Sequence, residues 1–204
     1  MLKNSKLYLI LDRDVNSYGE LLKIAEGAFK GGVDIVQLRD KHGSPKEILE
    51  FSGKMVKLLK NKIPFIINDR IDLALAVRAS GVHVGQDDVP IVVARKLMGP
   101  AAIIGTSCQT LAQAKEAERQ GADYIGFGSV YKTLTKPQRN PMDLNLLAEV
   151  VRKIWIPVFA IGGITLKNIT ALKEIGVNRM AVCRAICAAS DVEQTTLTFK
   201  TLLG

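Results

Sequence analysis

The sequence predicts one α/β domain over residues 1–204, folded as a (β/α)8 barrel of the TIM type. Three observations carry that expectation. Short β-branched or leucine-rich runs alternate with longer stretches of helical period from residue 6 onward; there are eight such runs; and nearly every run ends in polar, charged or glycine residues. Strict alternation implies an all-parallel sheet with helices outside it, and eight units can close on themselves near the lower size limit of the fold. An open doubly wound sheet is the alternative. It would place a Gly-x-Gly-x-x-Gly turn after the first strand, where Asp12-Arg13-Asp14 stand instead.

The runs are Leu7 to Leu11, Ile35 to Leu38, Phe65 to Ile67, Val82 to Val84, Ile103 to Thr106, Tyr124 to Phe127, Val158 to Ile161 and Met180 to Val182. Helix starts are written in capping residues. Ser44-Pro45-Lys46-Glu47 offers a serine cap, proline in the first turn and a glutamate to close a capping box, and Thr110 to Gln113 repeats the pattern with glutamine. Helix ends are expected at Gly31-Gly32, Gly81, Gly121 and Gly176, where a left-handed C-terminal cap favours glycine. Lys132 to Asp143 is the longest stretch without apolar periodicity, and the sixth loop, Gly128 to Asp143, has a length that marks a functional cover or a mobile segment.

In such a barrel the chemistry lies in the loops after the strands, and the third and fourth units stand out. Ile66-Ile67 runs into Asn68-Asp69-Arg70, and Val82-His83-Val84 into Gly85-Gln86-Asp87-Asp88. A parallel βαβ unit brings both strand ends to the same edge of the sheet. Two carboxylates meeting there repel by roughly 4 kcal/mol at 4 Å and an effective dielectric near 20, which a divalent cation relieves. The plainer reading makes Asp69 or Asp72, and Asp87 or Asp88, caps of the following helices. One cap per helix does not require acids in clusters, so one acid from each, Asp69 and Asp88, is expected to hold a metal.

Arg39 and Lys41 lie two apart at the end of the second strand and can point the same way into the barrel mouth. With Lys136 they make three cations facing the acids. Together with Gln37, Asn68 and Ser107 they suit a diphosphate bridged by Mg2+. For Asp40 and Arg70 an exposed ion network explains the charges equally well. A second anion site is expected at Ile161-Gly162-Gly163-Ile164 and Val182-Cys183-Arg184-Ala185, since the loops after strands seven and eight often bind phosphate through backbone N–H groups. Neither histidine is assigned acid–base work: His83 lies within a strand and is read as a satisfied core residue, and His42 sits in an exposed turn.

Composition narrows the partners. At 48% hydrophobic residues the chain can bury a large core. The net charge of +8 suits an anionic partner, but the basic residues are scattered and aromatics make up only 5%, which argues against nucleic acid. Leu7 to Leu11 is too short for a membrane span or signal peptide, so a cytoplasmic enzyme acting on small phosphorylated molecules is expected, with self-association left open. Cys108, Cys183 and Cys187 form an odd set without zinc spacing, read as small apolar residues.

Taken together, Gln37-Leu38-Arg39-Asp40-Lys41, Ile67-Asn68-Asp69-Arg70, Gly81 to Asp88, Gly105-Thr106-Ser107, Thr133-Leu134-Thr135-Lys136 and Ile161-Gly162-Gly163-Ile164 resemble the thiamine-phosphate synthase family, from about Leu7 to Ala188. The resemblance implies a transferase that joins 4-amino-2-methyl-5-hydroxymethylpyrimidine diphosphate to a thiazole phosphate and releases diphosphate. It implies that Gln37, Arg39, Lys41, Asn68, Ser107 and Lys136 hold the pyrimidine diphosphate, with Arg39, Lys41, Ser107 and Lys136 acting in catalysis and Asp69 and Asp88 binding Mg2+. It implies that Thr133, Thr135, Gly163, Cys183 and Arg184 receive the thiazole phosphate. Arg184 stands where members often have serine, and Ser129 and Lys132 where prolines are common. Two other readings are a paralogous thiazole tautomerase and a non-catalytic barrel that senses a phosphorylated metabolite. Neither needs the paired acids.

Overall fold

Eight parallel strands close in chain order in a computed structural model that describes residues 2–60, 62–134 and 140–204. They are β1 (Leu7–Asp12), β2 (Ile35–Arg39), β3 (Phe65–Asn68), β4 (Gly81–Val84), β5 (Ile103–Cys108), β6 (Tyr124–Phe127), β7 (Val158–Ile161) and β8 (Met180–Val182). Pairing of Leu7 with Met180 and Leu9 with Val182 seals β1 to β8. The predicted (β/α)8 barrel is therefore what the chain forms.

The helices between strands are α1 (Tyr18–Lys30), α2 (Pro45–Leu59), α3 (Ile71–Ala76), α4 (Ile91–Met98), α5 (Leu111–Arg119), α6 (Leu144–Lys153) and α7 (Ile169–Glu174); α8 (Arg184–Cys187) and α9 (Val192–Leu203) follow the last strand. Ser17, Ser44 and Thr110 close capping boxes with Glu20, Glu47 and Gln113. Gly32, Gly121 and Gly176 take the left-handed backbone expected after a helix. Gly81 does not. It is the first residue of β4, where a Cβ would meet the Ile103 carbonyl oxygen at 1.9 Å, so close strand packing, not a helix end, calls for glycine. The α3 end is instead followed by Arg78 at φ 55°.

Two cores share each strand, as a period of two demands. One set of side chains, including Leu9, Leu38, Ile67, Val82 and Ile125, packs between sheet and helices. The other fills the barrel: Tyr8, Ile10, Ile35, Ile66, Ile103, Tyr124, Phe159 and Ala181. Tyr8, Tyr124 and Phe159 meet edge to face with centroids 5.5 to 5.7 Å apart and plug the interior. Continuing the same alternation toward the strand ends gives Gln37 and Arg39 on β2, Asn68 on β3, His83 on β4 and Ser107 on β5, all of which line the open mouth above the plug.

Among the described residues no helix is long and apolar enough to cross a membrane.

Candidate active site

The mouth holds a cavity of about 330 Å³, lined by residues from the ends of all eight strands. Of the residues singled out in the sequence, Gln37, Arg39, Lys41, Asn68, Asp69, Asp88, Ser107, Thr133, Gly163, Cys183 and Arg184 all border it. Thr135 and Lys136 lie outside the described residues.

Asp69 follows β3 with a left-handed backbone, φ 60°, a conformation that aspartate tolerates better than most side chains. This turn carries its carboxyl to Lys41 and to Asp88, with both of which it hydrogen-bonds. Burial, reinforced by the neighbouring Asp88, holds the Asp69 carboxyl above its ordinary value against the pull of Lys41. Burial pushes Asp88 the same way, but hydrogen bonds from Asp69 and from the Gly85 N–H, at 2.7 Å, bring it below the usual value. Sharing one site thus shifts the two carboxyls in opposite directions. Neither acid caps a helix. The cap positions of α3 and α4 are Arg70 and Pro90, without side-chain cap bonds, so the plainer reading of the two clusters is set aside.

Arg39 ends β2, the strand beside β3, and is held from the β1 side. Its Nη1 donates to both Asp12 carboxylate oxygens and to Asp14 Oδ2, each at 3.0 Å. Asp40 and Arg70, for which two explanations stood open, have structural partners. Buried Asp40 accepts from the Tyr18 hydroxyl at 2.5 Å and the His42 and Gly43 N–H groups at 2.9 and 2.6 Å, which shapes the turn after β2. Arg70 forks onto Asp72 at 2.9 and 2.7 Å.

Deeper in the pocket, Gln37 Nε2 donates to Tyr8 at 2.5 Å, and Ser107 Oγ lies 2.9 Å from His83 Nε2. Across the mouth, Gly162 and Gly163 have φ of 107° and 65°, and a Cβ on Gly163 would strike the Lys132 carbonyl oxygen at 2.5 Å. The tight turn brings the backbone itself to the pocket wall, the arrangement by which backbone N–H groups reach an anion. Arg184 opens α8 beside it, and Cys183 lines the wall and contacts buried Cys187. Among the described residues no cluster of three or more His, Cys, Asp or Glu could hold a metal by itself. A two-carboxylate site is what Mg2+ commonly accepts when phosphate oxygens and water supply the remaining ligands.

Residues 7–186 match the family model described as thiamine monophosphate synthase. The chain belongs to the thiamine monophosphate synthase family. It is similar to the thiamine-phosphate synthases of Clostridium acetobutylicum, 44% identical over 92% of this chain and 90% of that protein, and of Shouchella clausii, 45% identical over 94% and 93%. Among solved structures it resembles thiamine phosphate pyrophosphorylase from Pyrococcus furiosus, with a TM-score of 0.88, 36% identity, and coverage of 97% of this chain and 95% of that one. Within this member of the thiamine monophosphate synthase family, sequence reasoning passed over Asp12, Tyr8, Tyr124 and the outward role of His83. An acid ending β1 was a usable signal for Asp12, by the rule applied to the other strands; for the two tyrosines there was none, since an aromatic inside a strand reads as core.

Proposed function

We propose that the pocket joins 4-amino-2-methyl-5-hydroxymethylpyrimidine diphosphate to 4-methyl-5-(2-phosphoethyl)thiazole, or its carboxylate, giving thiamine phosphate and diphosphate, with carbon dioxide also released when the carboxylate is used. The carbon–oxygen bond to diphosphate breaks with its electron pair leaving on oxygen, and the thiazole nitrogen supplies the pair for the new carbon–nitrogen bond. The observation that carries this is the juxtaposition, in one cavity of a chain of this family, of an acid pair with cations on one side and a glycine-turn anion site on the other.

Departure of diphosphate places negative charge where Lys41, Arg39 and Lys136 are assigned to receive it, and such groups accelerate a reaction insofar as they hold the departing charge more tightly than the bound substrate. Asp69 and Asp88 would hold Mg2+, which when bound offsets charge on the diphosphate oxygens. Gln37, Asn68 and Ser107 orient the pyrimidine. Thr133, Thr135 and the backbone at Gly163 and Cys183-Arg184 fix the thiazole phosphate, so that the ring nitrogen faces the reacting carbon. The tautomerase and sensor readings lack support, because the relatives reported above are named synthases.

Incubating the protein with both substrates and Mg2+ and following thiamine phosphate tests the assignment. Asp69→Asn suits the left-handed backbone and, with Asp88→Asn, should abolish Mg2+-dependent turnover while the folded signal is kept. Near-normal turnover without Mg2+ in either variant would refute the metal assignment.

A further inference from the structure

Beneath Ser107 a chain of hydrogen bonds crosses the barrel. Gln37 Nε2 lies 2.5 Å from Tyr8 Oη, Tyr8 Oη 2.7 Å from Tyr124 Oη, Tyr124 Oη 3.0 Å from His83 Nδ1, and His83 Nε2 2.9 Å from Ser107 Oγ. Gln37, Tyr8, Tyr124 and His83 are all buried. Strand register makes the route possible: His83 is opposite Gly105, and Gly105 is opposite Tyr124, so the missing side chain leaves room for the ring to reach the histidine. A Cβ on Gly105 would lie 2.0 Å from Tyr124 Cζ.

The chain has a direction, because a phenol carries one proton. Gln37 donates to Tyr8, and were Tyr124 to donate to it as well the buried Tyr8 proton would have no acceptor among the described residues, so the Tyr8 proton goes to Tyr124. The Tyr124 proton then goes to His83 Nδ1. A neutral imidazole that accepts at Nδ1 carries its proton on Nε2 and donates it to Ser107 Oγ. The serine oxygen is thereby engaged as an acceptor, and its own proton is left to point into the pocket. Run the other way, the Tyr8 hydroxyl and the Gln37 N–H would face each other as two donors, and Ser107 would spend its proton on the histidine.

We infer that Tyr124, with Tyr8 behind it, is a positioning residue that sets the His83 tautomer and so makes Ser107 a hydrogen-bond donor to the substrate. This rests on the reading of Ser107 as a substrate contact. It also specifies the substrate atom: Ser107 suits a lone-pair acceptor, a ring nitrogen or a diphosphate oxygen, and discriminates against an N–H donor placed there. Packing alone does not need the phenol oxygens, since the edge-to-face contacts of the plug involve only the rings.

The chain has two histidines, His42 and His83, so 15N-histidine labelling of the intact protein gives an assignable spectrum. At roughly pH 8.5, about two units above the ordinary imidazole value, His83 should show a protonated Nε2 and an unprotonated Nδ1. Tyr124→Phe should mix the tautomers and leave His42 unchanged, with Tyr8→Phe as a second variant acting in the same direction. An Nδ1-protonated His83 in the unsubstituted protein would overturn the relay.

Kinetics supplies a readout that a merely structural role would not move. Tyr124→Phe should lower kcat on the order of tenfold, the size of one lost hydrogen bond, with KM for the pyrimidine diphosphate within about twofold. In the His83→Gln background the same change should cost less than about twofold, since an amide has a fixed donor and no tautomer to set. Equal losses in both backgrounds would overturn the proposal. Ser107→Ala with an unchanged rate would instead overturn the substrate contact, so the two failures are told apart.

Discussion

Asp12 stands directly opposite Arg39 in the β1–β2 register, and both of its carboxylate oxygens accept from a single guanidinium nitrogen. The Asp12 side chain is fully buried, whereas Asp14, the third oxygen on the same nitrogen, is 47% exposed. Removing one partner of a buried pair strands the other charge away from water and costs about 3–5 kcal/mol, while an exposed pair contributes at most about 1 kcal/mol. Asp12→Ala should therefore lower the urea midpoint far more than Asp14→Ala. It should also reduce turnover, because Asp12 supplies two of the three contacts that fix Arg39 at the pocket wall. Equal midpoints for the two variants would refute the buried-pair assignment.

Asp40 gives the folded state a defined dependence on acid. Burial raises its carboxyl, but the hydrogen bonds from Tyr18 and the His42 and Gly43 N–H groups outweigh burial and leave it below the usual value. A carboxyl depressed on folding contributes stability that is fully present above its unfolded value, about 3.9, and is lost as pH falls through the folded value. Asp40→Asn should thus be less stable than the parent at pH 7, and the gap should narrow below about pH 4. Urea midpoints across that range measure it; a gap independent of pH would exclude the carboxylate as its source.

Much of this arrangement could be read from the chain alone, and the misses share a cause. Strand ends are visible because apolar runs stop at charged residues, which placed β3 and β4 and thus Asp69 beside Asp88 before any coordinates. Capping boxes at Ser44 and Thr110 are local, and they form as written. Gly81 was misread because glycine serves two purposes, and the one at work, contact with the Ile103 backbone, comes from a neighbouring strand. Arg39 pairing with Asp12 likewise depends on the register of β1 against β2. His83 was rightly read as satisfied, but what satisfies it, Tyr124 on one side and Ser107 on the other, comes from β6 and from β5, elements far along the chain.

Trp155 is the sole tryptophan and is 93% exposed, at the end of the barrel remote from the pocket. Its emission should resemble that of indole in water and be quenched by acrylamide nearly as fast as a free indole. Its loss in Trp155→Ser should change stability within about 0.5 kcal/mol, as for an isolated surface position. Blue-shifted, protected emission would mean that this end is covered in solution, which concentration-dependent sedimentation would then identify as self-association or not.

Gly105 should be among the least replaceable glycines of the barrel, with Gly81. Its Cβ would lie 2.0 and 2.3 Å from two Tyr124 ring carbons and 2.4 Å from the Tyr124 hydroxyl oxygen, and that ring is itself fully buried and wedged against Tyr8 and Phe159. A rigid ring in a packed interior has nowhere to go, so Gly105→Ala should cost roughly 1–3 kcal/mol or more, a fall in Tm of about 2–4 °C for each kcal/mol in a chain this long. The same shift would pull Tyr124 from His83 and slow turnover along with Tyr124→Phe. Adding Tyr124→Leu to Gly105→Ala should destabilise by less than the sum of the single changes, since the overlap is removed with the ring. Calorimetric Tm values for the four proteins decide the matter, and strict additivity would show that the ring and the glycine are not in contact.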